Sequence, residues 1–84
     1  IYLNVSNDLI IQDAALNRRI AIKSEGSQTA VVWNPWEKIA KEMADLLDDD
    51  YLRLLCVETT NAATDTILIQ PGNQFSLIAH YQVK

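Results

Sequence analysis

One cysteine, Cys56, and one histidine, His80, leave this 84-residue chain without the means for a disulfide bridge or a clustered metal site. Those are the usual props of a small domain, which at this size buries only about 60 to 65% of the surface its unfolded chain exposes. Glycine and proline are scarce as well, two of each against 49% hydrophobic residues, which excludes linker-like or disordered composition. Basic charge is in deficit: seven Lys and Arg stand against eleven acids, a net charge of -4, which argues against nucleic acid or an anionic membrane as partner. No run approaches the roughly 20 apolar residues of a membrane-spanning helix, and no basic-then-apolar leader opens the chain. With disulfide, metal and membrane set aside, the remaining prop is more chain. Ile1 begins a strand-like alternation with no initiator methionine, so the expectation is a piece of a larger domain. An unpaired Cys56 in an apolar run suits a reducing compartment, the cytoplasm.

What is present is mostly strand patterning. Ile1, Leu3 and Val5 alternate with polar neighbours, Leu9 to Ile11 makes a second short strand, and Arg18 to Ser24 a third, closed by the Glu25-Gly26-Ser27 turn cluster. Thr29 to Trp33 is β-branched or aromatic at four of five positions and apolar on both faces, as a central, doubly covered strand requires. The period then changes. Trp36, Ile39, Ala40, Met43, Leu46 and Leu47 fall at helical spacing, with Asn34 as cap, Pro35 in the first helical position and Glu37 placed for a capping box. Asp48, Asp49 and Asp50 oppose the negative end of the helix dipole, so the one helix is expected over about 35–47. Strands resume at Leu52 to Thr59 and Thr66 to Gln70. Pro71-Gly72-Asn73 then turns into a last strand with Phe75, Leu77, Ala79, Tyr81 and Val83 on its core face. Six or seven strands and one helix place the chain in the all-β class, as a largely antiparallel β-sandwich.

Glu58 is the most informative single residue. Alternation along Leu54-Leu55-Cys56-Val57-Glu58 puts it on the face of Leu54 and Cys56, at the far end of a buried strand. A carboxylate held against apolar neighbours has its charged form disfavoured, which suits a general base. The other reading makes Glu58 an edge acid that hydrogen-bonds Thr59 or Thr60, since structural acids occupy such settings too. Pro35 to Asp50 is long enough to cross over between parallel neighbouring strands, which need a dozen residues or so. Their ends would then coincide and bring Trp33 or Asn34 beside Glu58, an indole and an amide forming a sugar-binding wall. Alternatively Trp33 and Trp36 are core residues and Asn34 only a helix cap. His80 lies on the polar face of its strand, and Arg18-Arg19 point to opposite faces, one able to pair with Asp13. Asp48-Asp49-Asp50 lacks the glycine and distal glutamate of a calcium loop. Cys56 reads as a small core hydrophobe.

The block Val31-Val32-Trp33-Asn34-Pro35-Trp36, with Lys38, Ala40, Lys41, Met43, Ala44 and Asp45, then Asp49-Asp50-Tyr51 and Leu55-Cys56-Val57-Glu58, resembles the C-terminal part of the hexose-6-phosphate mutarotases. These are also called glucose-6-phosphate 1-epimerases and sit within the aldose 1-epimerase group. Tyr2-Leu3-Asn4, Ala15-Leu16-Asn17-Arg18 and Pro71-Gly72 resemble the same family. The resemblance implies a galactose-mutarotase-like sandwich about three times this length, of which residues 1–84 are the C-terminal part with no internal boundary. It implies a cofactor-free isomerase acting on a hexose 6-phosphate such as glucose 6-phosphate, monomeric when full length, with Glu58 as the general base. The family's histidine acid, substrate-binding aspartate and phosphate-binding arginines belong to upstream sequence, so the remaining N-terminal portion is the implied partner and this piece alone is expected to be inactive. The competing class is a non-catalytic carbohydrate-binding or structural β-sandwich module.

Overall fold

The computed structural model describes residues 1–84. In chain order it contains β1 (Tyr2–Leu3), β2 (Asp8–Asp13), β3 (Arg18–Glu25), β4 (Thr29–Trp33), α1 (Trp36–Glu42), β5 (Cys56–Thr60) and β6 (Ile78–Val83). Short 3-10 turns cover Asp50–Arg53 and Ala63–Asp65. The strands form two three-stranded sheets, β1-β4-β5 and β2-β3-β6, with every neighbour antiparallel. The chain is therefore all-β with one short helix. No helix is long and apolar enough to cross a membrane.

The second sheet grows from the β2-β3 hairpin, which pairs Asp13 with Arg18 across a tight turn. Asp13 Oδ1 accepts the Leu16 N–H at 3.2 Å, and Asn17 adopts a left-handed φ of 48°, which Asn tolerates better than most residues. Register and alternation put Leu9, Ile11, Ile20, Ile22 and Ala79 on one face and Arg19, Lys23, Glu25 and His80 on the other. Ile22 is buried at the centre of the apolar face. Tyr81 and Val83 extend that face along β6, yet both are exposed, so the expected core face of the last strand is uncovered in this chain. The strand itself begins only at Ile78, leaving Phe75 and Leu77 outside it.

The first sheet departs from expectation in direction. Trp33 pairs with Cys56 and Val31 with Glu58, so β4 and β5 run antiparallel and no parallel crossover exists. The reason lies in the connection. α1 stops at Glu42, because Met43 turns extended (φ -87°, ψ 119°), and the helix does not continue to Leu47. The chain then folds back at the same end of the sheet, where Trp36 meets Tyr51 edge-on with ring centroids 4.9 Å apart. A connection that stays at one end delivers the next strand running back. Leu52 to Arg53 consequently lies in a 3-10 turn, and β5 is shorter than the expected Leu52 to Thr59 strand. Glu37 pairs with Lys41 (3.1 Å) instead of reaching back as a capping box.

Three more expectations fail for one reason. Thr66 to Gln70 has no strand partner and forms no ladder, although the turn after it is as expected: Asn73 N–H donates to Gln70 O at 3.0 Å around Gly72 at φ 83°. Likewise Thr29 to Trp33 is covered only at its start, where Thr29 and Ala30 are buried, while Val32 and Trp33 are exposed. Trp36, expected in the core, is 65% exposed. The accessible surface is 6,485 Å², whereas a compact protein of this mass exposes about 5,000 Å². The radius of gyration is 15.5 Å, against about 12 Å for a compact chain of this length. Both sheets thus present apolar faces that these 84 residues cover only in part.

Candidate functional site

The antiparallel ladder decides what stands near Glu58. Residues opposite each other share a face, so Thr29, Val31 and Trp33 of β4 line up with Thr60, Glu58 and Cys56 of β5 on one side of the sheet. Trp33 is the diagonal neighbour of Glu58 there, at a typical spacing of about 7–8 Å. Trp33 and Glu58 thus share a sheet face through register, not through coincident strand ends. Trp33 is 39% exposed, leaving ring surface open. Glu58 is exposed too, so the apolar enclosure expected from the sequence is not supplied by this chain. Its carboxylate takes part in none of the chain's hydrogen bonds or ion pairs, including any to Thr59 or Thr60.

Asn34, one residue beyond β4, is fully engaged. Its Nδ2 donates to the carbonyls of Tyr51 (2.9 Å) and Leu54, and its Oδ1 accepts the Trp36 N–H at 2.8 Å. Both amide protons are used, so only one Oδ1 lone pair is left for anything else. The clasp holds three things at one end of the sheet: the strand exit, the helix start and the return into β5. Trp36 has a left-handed φ of 62°, a conformation costing a non-glycine residue about 1–2 kcal/mol. The bond to Asn34 helps to hold it there.

The remaining chemistry-bearing side chains lie elsewhere. His80 is on the polar face of the second sheet, 3.5 Å from Glu25. Arg53 is tied to Asp49 (3.0 Å) and Asp50 (3.2 Å), which hold its guanidinium above its ordinary value, Asp49 foremost. No group of three His, Cys, Asp or Glu side chains is arranged to hold a metal ion. Cys56 is a free, half-buried thiol opposite Trp33.

Sequence reasoning missed a cleft of about 670 Å³ between the β2-β3 hairpin and the segment entering β5, lined by Ile11, Asp13, Arg18, Ile20, Arg53 and Leu54 among others. No local signal marks it, because its walls are some 35 residues apart in the chain. Both arginines facing it are matched by carboxylates. Arg18 Nε lies 2.8 Å from Asp13 Oδ2, and that bond, with the Leu16 N–H, holds the Asp13 carboxyl below its usual range.

A sequence family described as aldose 1-epimerase matches residues 1–82, nearly the whole chain. The chain belongs to the aldose 1-epimerase family. Among curated proteins, one from Cenchrus ciliaris bearing the name "Putative glucose-6-phosphate 1-epimerase" is 37% identical over 75 residues, 89% of this chain and 22% of that protein. Proteins of the same name from Escherichia coli K12 and Salmonella typhimurium LT2 are 40% and 39% identical over 75% and 74% of this chain, and 21% of each relative is covered. No solved structure matches. The chain spans about a fifth of the length of these relatives. Seventy-five residues making up 22% of the Cenchrus ciliaris protein put it at about 340 residues, some four times this chain and longer than the threefold expected from the resemblance.

Proposed function

We propose that this aldose 1-epimerase chain supplies the general base, Glu58, and part of the sugar-facing wall of a hexose-6-phosphate 1-epimerase. The observation that carries the reading is the unpartnered Glu58 carboxylate on the sheet face it shares with the exposed Trp33 ring. Glu58 takes the proton of the C1 hydroxyl while an acid from the rest of the protein protonates the ring oxygen. The C1 to ring-oxygen bond breaks, giving the open-chain aldehyde. Rotation about C1–C2 presents the other carbonyl face, and the reverse proton transfers close the ring as the opposite anomer. Positioned proton transfer of this kind contributes typically 10² to 10⁴-fold.

Trp33 serves as the apolar wall against which the C–H face of a pyranose lies, a contact aromatic rings make well. Asn34 acts chiefly by fixing the strand exit that carries Trp33. Residues 1–84 form part of a single domain, and the remaining sequence covers the apolar faces of both sheets, encloses Glu58 and brings the acid and the phosphate-binding side chains. No cofactor enters this chemistry. The full-length enzyme is taken to be a cytoplasmic monomer, in keeping with the free Cys56.

Anomer exchange of glucose 6-phosphate, followed by NMR magnetisation transfer, tests the reading. In the full-length protein Glu58→Gln is expected to lower kcat at least 100-fold, with the far-UV circular dichroism unchanged. A Gln variant with wild-type turnover rejects Glu58 as base. The 84-residue chain alone is expected to give no acceleration over buffer.

A further inference from the structure

Glu58 has no side-chain partner, so its position is inherited entirely from the backbone of β5, an edge strand paired only with β4. Strand ends with a single neighbour fray unless something holds them. Here the last pair of the ladder, Thr29 opposite Thr60, is held by a polar knot just two residues beyond Glu58. The Thr29 hydroxyl, in a residue 2% exposed, accepts from Thr60 Oγ1 (2.9 Å) and from the Ala62 N–H (3.1 Å). Its one proton is shared between Thr60 O at 2.7 Å and Asp65 Oδ2 at 3.1 Å. Those contacts saturate it, one donor and two acceptors. The same Asp65 oxygen accepts the Gln28 N–H (2.8 Å) and Asn61 Nδ2 (3.3 Å), while Ser27 Oγ bonds the carbonyls of Thr29 and Thr60. Asp65 thus bolts the start of β4 to the turn that follows β5, where Ala63 is held at a left-handed φ of 51°.

We propose that Thr29 and Asp65 are positioning residues for Glu58, fixing the end of β5 so that the carboxylate is presented at the C1 hydroxyl. The proposal rests on Glu58 being the base. Thr60 is the link: it is on β5, on the same face as Glu58, and both its hydroxyl and its carbonyl are engaged by the knot. Loss of the knot lets the strand end move, and displacements of about 1 Å at a catalytic group can lower turnover 100-fold. Trp33 sits at the opposite end of the ladder, held by the Asn34 clasp, and the other substrate-binding groups lie outside this chain, so KM should hardly change.

The test uses the full-length protein with Thr29→Val, Thr29→Ser, Asp65→Ala and Glu58→Gln, each shown by circular dichroism to be folded at the assay temperature. Thr29→Val and Asp65→Ala are expected to lower kcat about 10- to 100-fold with KM within about threefold, and Thr29→Ser to recover kcat to within about threefold of wild type. A folded Asp65→Ala or Thr29→Val with wild-type kcat overturns the proposal, as does a Thr29→Ser no faster than Thr29→Val. If Thr29→Val fails to fold, Asp65→Ala decides. Failure of the base reading looks different: Glu58→Gln would then keep its activity, and the positioning role falls with it.

Discussion

Replacing Asn34 separates a helix cap from a clasp. Three hydrogen bonds depend on its side chain: two donations, to the carbonyls of Tyr51 and Leu54, and one acceptance, from the Trp36 N–H. At about 1 kcal/mol net for each bond, Asn34→Ala should cost about 3 kcal/mol. That is a large fraction of the 5–15 kcal/mol that holds a typical protein folded. Asn34→Asp is the sharper variant. As a simple helix cap Asp is about as good as Asn, so a cap alone predicts no change. As a clasp, Asp keeps only the bond from Trp36, loses both donors and sets a carboxylate against two carbonyl oxygens, so it should cost at least about 2 kcal/mol. Urea unfolding of the full-length protein at pH 7, followed by far-UV circular dichroism, measures both, provided the m-value is unchanged. An Asn34→Asp protein within about 0.5 kcal/mol of wild type, the range of an ordinary surface substitution, would refute the clasp.

Acid sensitivity follows from Asp13 and Asp65, whose carboxyls are held below their usual range by Arg18 and by the Gln28 N–H respectively. Folded values below the unfolded one of about 3.9 mean that their contribution is whole above that pH and is lost as pH falls through the folded values. The urea midpoint of wild type should therefore drop more steeply below about pH 4 than that of Asp13→Asn/Asp65→Asn, and equal slopes would contradict this. The two glycines should differ when changed to Ala. Both have left-handed φ, 79° for Gly26 and 83° for Gly72, but a Cβ on Gly26 meets Ser76 O and the Phe75 ring while Gly72 has open space. Gly72→Ala should cost about 1–2 kcal/mol and Gly26→Ala clearly more, measured by the same unfolding; equal losses would mean the contact yields freely.

Features governed by near neighbours were legible in the chain. Thr29–Trp33 is a strand from β-branched and aromatic residues, and Pro71-Gly72 turns because Pro presets φ and Gly accepts a positive one; Asn34-Pro35 marks the helix entry, although Pro35 itself takes the cap position and the helix starts only at Trp36. The helix end was not legible, because Leu46 and Leu47 keep helical spacing while Asp50 Oδ2 takes the Leu47 N–H (2.8 Å) into a competing turn. Thr66 to Gln70 has the alternation of a strand, but a strand is a property of a pair, and no partner is present. Of the candidate site, the chemistry of Glu58 and Trp33 could be read locally; their shared face could not.

Residue patterning alone determined the all-β class and singled out Glu58 as a carboxylate to test, while the block from Val31 to Glu58 carried the resemblance to the family. Tertiary structure decided direction and company. A 22-residue connection between β4 and β5 permits either strand sense, and only its packing at one end of the sheet made the pair antiparallel. That choice set Glu58 diagonal to Trp33, turned Asn34 inward as a clasp and tied Thr29 to Asp65 across 36 residues. Hydrogen bonds between residues so far apart depend on where the chain returns, which no local spacing records.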